Sequence, residues 1–90
     1  MKNYFKVAKS DIYENKFLIE YYYETNIYTF DSIQRHFKIP PHIYYNILVK
    51  SNGVFSNRYV YNEYYFLNEE DTQNAINELE SYIIFNKLTE

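Results

Sequence analysis

The chain has 90 residues, a formal net charge of −3 and no cysteine, and this length predicts one small domain. The lack of cysteine excludes disulfides, thiolate zinc sites and thiol catalysis. No segment approaches the roughly 20 apolar residues that cross a bilayer. The N-terminus lacks the apolar run of a signal peptide, so we expect a soluble, cytoplasmic protein.

The first third of the chain is predicted to form strands. Side chains over residues 17 to 24 alternate with the period of a strand, and Thr25 and Asn26 make a plausible turn. A return strand from 27 to 30 would complete a hairpin. An earlier short strand is expected near residues 4 to 8.

Two short helices are predicted in the middle of the chain. Asp31 is placed to cap the first, which covers residues 32 to 38, and Gln34 completes a capping-box pattern. Ile39 precedes a proline and is therefore pushed out of helical conformation. The second helix is expected over residues 41 to 50, with a proline in its first turn and a stop at Asn52-Gly53.

The last third is predicted to be a second hairpin followed by a long helix. Residues 54 to 67 have strand chemistry around a turn at Asn62-Glu63, and Asn68 is placed to cap the helix. The helix keeps an apolar stripe that widens in its last turns. The predicted fold is therefore α+β, with a small hairpin, a central helix-turn-helix pair, a second, wing-like hairpin and a C-terminal helix.

Charge is segregated along the chain. Residues 32 to 62 contain no acid and four cations, whereas residues 63 to 90 hold seven acids against one lysine, a net −6. Such a distribution can place a positive face on an acidic protein. The four central cations are Arg35, Lys38, Lys50 and Arg58.

The apolar spacing of this central segment resembles that of helix-turn-helix DNA-binding proteins. The matching residues are Ile33, Phe37, Ile39, Tyr44 and Ile47. The stretch from Thr29 is also similar to small helix-turn-helix modules that accompany homing endonucleases of phages and introns, and strands at 58 to 67 would resemble a wing. Two positions depart from the family pattern. The family usually has a small residue where this chain has Gln34, and a glycine where it has Lys38. A tight helical hairpin that serves packing alone needs a very similar pattern.

The resemblance implies a DNA-binding protein that uses residues 31 to 52 on duplex DNA. The outward face of the second helix would present His42, Tyr45, Asn46 and Lys50, with Asn46 able to read adenine. Arg35 also belongs to this nucleic-acid-binding set, and Lys38, Lys50 and Arg58 would hold phosphates. A homodimer through the C-terminal helix would double the contact. Its interface would comprise Tyr82, Ile83, Ile84, Phe85 and Leu88.

A protein-binding inhibitor encoded by a virus is the alternative function. Small, acidic, cysteine-free chains from AT-rich genomes resemble such inhibitors of host machinery, including anti-CRISPR proteins. The composition fits this origin, because Asn, Lys, Ile, Tyr and Phe, which have AT-rich codons, supply 48 of the 90 residues. The acidic C-terminal helix and exposed tyrosines would then contact a host protein complex.

Enzymatic motifs are missing from the sequence. His36 and His42 lie six residues apart rather than at the spacing of a helical zinc site. The acids at 69 to 71 have a structural reason in the first turn of a helix. We therefore expect no enzyme activity, no metal and no cofactor.

Overall fold

Eight elements of secondary structure succeed one another in the described part of the chain. The computed structural model describes residues 3–58 and 61–86, and at Arg58 and Tyr61 it describes the backbone. The elements are β1 (Tyr4–Ser10), β2 (Lys16–Tyr23), β3 (Asn26–Thr29), α1 (Phe30–His36), α2 (Pro41–Lys50), β4 (Val54–Arg58), β5 (Tyr61–Tyr65) and α3 (Glu69–Phe85). The predicted α+β class and order of elements are confirmed.

The strands form two antiparallel sheets, β1-β2-β3 and β4-β5. Phe17 and Phe66 join the sheets, because each amide donates to the other's carbonyl, at 2.9 and 2.8 Å. The predicted hairpin at 16 to 30 is confirmed, with its turn one residue earlier, at Glu24 and Thr25. Glu24 adopts a left-handed conformation, with φ of 55°, that completes this tight turn.

The start of α1 differs from its prediction. The helix begins at Phe30, and Thr29 rather than Asp31 is its N-cap, without a side-chain capping bond. The capping role predicted for Asp31 is therefore wrong. Asp31 lies instead in the first turn, where a carboxylate favours the positive end of the helix dipole, and it pairs with Arg35 at 3.9 Å.

The end of α2 explains the single glycine of the sequence. Asn52 takes the left-handed position after the helix, with φ of 69°, and the Gly53 amide donates to the Leu48 carbonyl at 2.8 Å. A Cβ at Gly53 would approach that carbonyl oxygen to 2.7 Å. Glycine is therefore required here for close approach, whereas the asparagine supplies the turn.

The second hairpin has a different turn from the predicted one. Asn62 and Glu63 lie within β5, paired with Asn57 and Ser56 of β4, so their predicted turn is wrong. The pairing of β4 with β5 extends to Arg58 and Tyr61, and residues 59 and 60 of the expected wing lie outside the described residues. The predicted cap of α3 is confirmed, since the side chain of Asn68 accepts a hydrogen bond from the Asp71 amide at 2.8 Å.

The three helices and the three-stranded sheet share one core. Four of the five residues in the helix-turn-helix spacing are buried, and Ile47 is half-buried while its neighbour Leu48 takes the buried place. None of the helices in the described ranges is long and apolar enough to span a bilayer. The core residues with the least exposure are Ile33, Ile39, Tyr44, Phe66, Ala75 and Leu79.

Candidate nucleic-acid interface

The turn between α1 and α2 accommodates both departures from the helix-turn-helix pattern. Lys38 has φ of 56°, the left-handed conformation that favours glycine. Its amide donates to the Arg35 carbonyl at 3.2 Å, and the Ile39 amide donates to the Gln34 carbonyl at 3.0 Å, which closes the end of α1. The Gln34 side-chain amide also donates to the Ile39 carbonyl. Gln34 therefore stabilises the turn in which Lys38 replaces glycine.

The outward face of α2 contains the four residues that the sequence places there. His42, Tyr45, Asn46 and Lys50 are exposed, at the three- and four-residue spacing of one helical face. Tyr44 and Leu48 are buried on the opposite face. The side chains are thus accessible, and their contact with nucleic acid remains a prediction.

The predicted phosphate contacts differ in their surroundings. Lys38 and Lys50 are exposed, at the two ends of the segment that contains the turn and α2. Arg35 is exposed too, but its guanidinium lies 3.9 Å from the carboxylate of Asp31. This carboxylate offsets part of the positive charge that Arg35 would present to a ligand. Arg58 is the last residue of β4, and its side chain lies outside the described part of the structure.

An aromatic cluster, defined as Phe30, Tyr45, Phe55 and Tyr64, connects α2 with the second hairpin. The ring of Tyr45 lies 6.3 Å from that of Phe30 and 5.8 Å from that of Tyr64. Phe55 contacts Tyr64 across the hairpin at 5.2 Å. Tyr45 and Phe55 keep 39% and 48% exposure, so the cluster is part of the surface. With 13 tyrosines and seven phenylalanines in 90 residues, some exposed aromatic surface is expected, but its members come from four elements, α1, α2, β4 and β5.

Tyr44 anchors α2 beneath this cluster. Its hydroxyl donates to the Phe30 carbonyl at 3.0 Å, and burial raises its pKa, so the hydroxyl stays protonated as a donor. Phe30 has φ of 35°, an unusual value for a bulky residue. The start of α1 is thereby tied to the middle of α2.

A groove of about 720 Å³ separates α2 from α3. Asn46 and Lys50 lie on its α2 wall, and Glu78 lies on its α3 wall, so an acid borders one flank of the predicted DNA-binding face. Their place on one groove is not evident from the sequence, where Lys50 and Glu78 are 28 residues apart. The groove is lined by Ile43, Asn46, Ile47, Lys50, Glu78, Ser81, Tyr82, Ile84 and Phe85.

The residues predicted to form a dimer have different environments. Ile83 is 8% exposed and belongs to the core of the protein, and Tyr82 is half-buried against that core. Ile84 and Phe85 are 75% and 86% exposed. Leu88 lies outside the described residues. The exposed apolar surface at the end of α3 therefore comes from Ile84 and Phe85.

Comparisons with known sequences and structures provide no evidence about the role of this surface. Comparison with protein-family models, with curated protein sequences and with solved structures finds no match for this chain.

Proposed function

We propose that the protein binds duplex DNA by placing the exposed face of α2 in the major groove. The observation that supports this most is that the turn and α2 themselves carry no acidic residue. The face presents Tyr45, Asn46 and Lys50 to solvent, and no acid occurs between residues 32 and 62. The major groove of B-DNA admits an α-helix, and an acid on the docking helix would repel phosphates.

The residues of this face divide into two roles. Asn46 lies at the middle of the exposed stripe, where its amide would pair with the edge of adenine. Lys38 and Lys50 flank it and would neutralise phosphates, which fixes position but carries no sequence information. Arg35 would contribute less, because Asp31 already pairs with it.

The β4-β5 hairpin would act as a wing against the DNA backbone. The aromatic cluster holds this hairpin beside α2, through the contact of Tyr45 with Tyr64. We propose Arg58, the last residue of β4, as a further phosphate contact. His42, which is exposed in the first turn of α2, would face the DNA backbone beside the turn that joins α1 to α2.

A salt titration of duplex DNA binding, followed by fluorescence anisotropy, tests this function. If Lys38, Lys50 and Arg58 each neutralise one phosphate, log affinity should fall with log salt by about 0.9 per contact. Reversing Lys38 and Lys50 to glutamate should abolish binding. Lys9→Glu, which makes one such reversal at an exposed position of β1, should retain most of it. Absence of wild-type binding at low salt would refute the proposal.

The acidic surface of α3 favours a second candidate function, the binding of a partner protein at its nucleic-acid site. The helix from Glu69 to Phe85 carries five acids and no basic residue. Its exposed carboxylates, including Glu69 and Glu70, would occupy positions that phosphates take on the partner. A pull-down from the natural host would test this. A stoichiometric partner that is lost when Glu69 and Glu70 become glutamine supports it, and retention of that partner contradicts it.

A further inference from the structure

We propose that the groove between α2 and α3 is the contact surface of a two-fold homodimer in which α2 is withheld from DNA. The second half of this statement rests on the proposed DNA-binding function, whereas the dimer surface does not. The occupant of the groove is thus a second copy of the chain.

Exposed apolar side chains at the rim of the groove support a protein contact. Phe85 and Ile84 are 86% and 75% exposed, beside a groove whose floor includes half-buried Ile43 and Ile47. Large exposed apolar residues next to an apolar concavity mark interaction surfaces. The exposed side chains of Ile84 and Phe85 and the groove lie on the same face of the protein. A single copy therefore presents both parts of a complementary contact.

Opposite charges on the two walls of the groove fit a second copy of the chain. Lys50 lies on the α2 wall and Glu78 on the α3 wall. In a two-fold interface the same patch meets itself, and residue i of one copy contacts residue j of the other. Packing α2 of one copy against α3 of the other would therefore place each Lys50 beside the Glu78 of its partner. Both charged walls would be neutralised, and each Phe85 would enter the groove of the other copy.

Such a dimer is incompatible with two α2 helices reading DNA together. It packs α2 and α3 of both copies into a four-helix arrangement, in which neighbouring helices lie about 8–10 Å apart. The two α2 helices are then separated by at most a diagonal of roughly 15 Å. Recognition helices in successive major grooves need about 34 Å. The contact also covers Asn46 and Lys50, which line the groove. Dimerisation and DNA binding should therefore oppose each other.

Sedimentation equilibrium tests the surface without any DNA. Wild-type protein should show a concentration-dependent dimer, and Ile84→Gln/Phe85→Gln should raise the dimer dissociation constant by about 30-fold or more, as for aromatic anchors of interfaces. Both residues are exposed and the substitutions are neutral, so the fold and the net charge are preserved. Leu67→Gln, at another apolar residue with 59% exposure, is the matched control and should leave the constant unchanged. A wild-type protein that stays monomeric would leave the groove to another occupant, such as a helix of a partner protein, and would overturn the proposal.

A charge swap tests the arrangement of the walls. Lys50→Glu and Glu78→Lys should each weaken the dimer on the order of tenfold, because each places like charges together twice in the two-fold contact. The double variant Lys50→Glu/Glu78→Lys should restore it. Glu24→Lys, a charge reversal at the exposed β2-β3 turn, is the control. Failure of the double variant to recover the dimer would overturn the two-fold arrangement.

DNA binding by the monomeric variant tests the opposition. Ile84→Gln/Phe85→Gln should bind duplex DNA more tightly than wild type at protein concentrations where wild type is a dimer. Equal or weaker binding by this variant would overturn the withholding of α2. If neither protein binds DNA, the proposed function and the withholding both fail, while sedimentation still decides the dimer surface by itself.

Discussion

The hydroxyl of Tyr44 donates a hydrogen bond to the carbonyl of Phe30 at 3.0 Å, across 14 residues of sequence. This bond joins the middle of α2 to the first residue of α1. The ring of Phe30 in turn belongs to the aromatic cluster, so the helix pair and the second hairpin meet at one point. The orientation of the exposed face of α2 therefore depends on buried Tyr44 as well as on Tyr45, the residue of that face that belongs to the aromatic cluster.

Replacing Tyr44 by phenylalanine should lower the free energy of unfolding by about 1 kcal/mol, the usual net value of a buried hydrogen bond. Urea denaturation followed by circular dichroism measures the change. Tyr45→Phe removes a hydroxyl from a residue with 39% exposure and is the control, with little expected effect. Equal losses in the two variants would contradict a special role for the Tyr44 bond.

Lys38→Gly should separate stability from DNA binding. The lysine has φ of 56°, which costs an L-residue free energy that glycine avoids, so the variant should be more stable by roughly 0.5–1 kcal/mol. The same substitution removes a proposed phosphate contact and should weaken DNA binding. Lys38→Ala removes the charge but keeps the unfavourable conformation, so it should lose binding without gaining stability. Unchanged DNA affinity in both variants would remove Lys38 from the proposed interface.

His36 should make the protein less stable as the pH falls below neutrality. Burial lowers its pKa, its ring packs against Tyr21 and Tyr28, and Nε2 has no hydrogen-bond partner among the described residues. The unfolded chain takes up a proton near pH 6.5, whereas the folded protein does so at lower pH. Between these values the unfolded state binds more protons, so the free energy of unfolding falls as the pH falls.

Denaturation between pH 7.5 and about 5.5 measures this dependence, because this window spans the ordinary pKa of histidine. His36→Phe should flatten the pH dependence of unfolding, and His42→Gln, at an exposed histidine, should leave it in place. The same slope in wild type and His36→Phe would assign the effect to other groups.

Glu63 should have the opposite pH dependence. The side chain is half-buried in β5, and burial raises the pKa of its carboxyl above 4.5. Between 4.5 and the raised value the folded state binds more protons than the unfolded state, so stability falls as the pH rises through this window. Glu63→Gln should therefore stabilise the protein at pH 7, as measured by thermal unfolding. Glu24→Gln, at an exposed turn, should not, and a destabilised Glu63→Gln would show that the carboxylate has a stabilising partner.

Local signals in the sequence predicted most of the element order. Proline at 40 and 41 separates the two central helices, and Asn68 caps α3, because these effects involve a few neighbouring residues. Where two local signals compete, the prediction was less accurate. Asp31 is as good an N-cap by type as Thr29, and the strand pairing of β3 up to Thr29 decides between them.

The turn of the second hairpin depends on longer-range contacts. Asn62 and Glu63 have turn chemistry, yet they lie within β5, whose following residue Phe66 pairs with Phe17 of the other sheet. This pairing fixes the register of β5, so that Asn62 and Glu63 pair with β4. Such a contact, between residues 49 positions apart, has no local signature.

The sequence by itself determined the α+β class, the helix pair and the absence of acids from its central segment, because periodicity, capping and charge are properties of nearby residues. Tertiary structure alone decided what surrounds the exposed face of α2. It placed the aromatic cluster on one flank and the groove with Glu78 on the other. It also separated Ile83, in the core, from exposed Ile84 and Phe85, since adjacent residues on a helix point about 100° apart and packing selects which is covered.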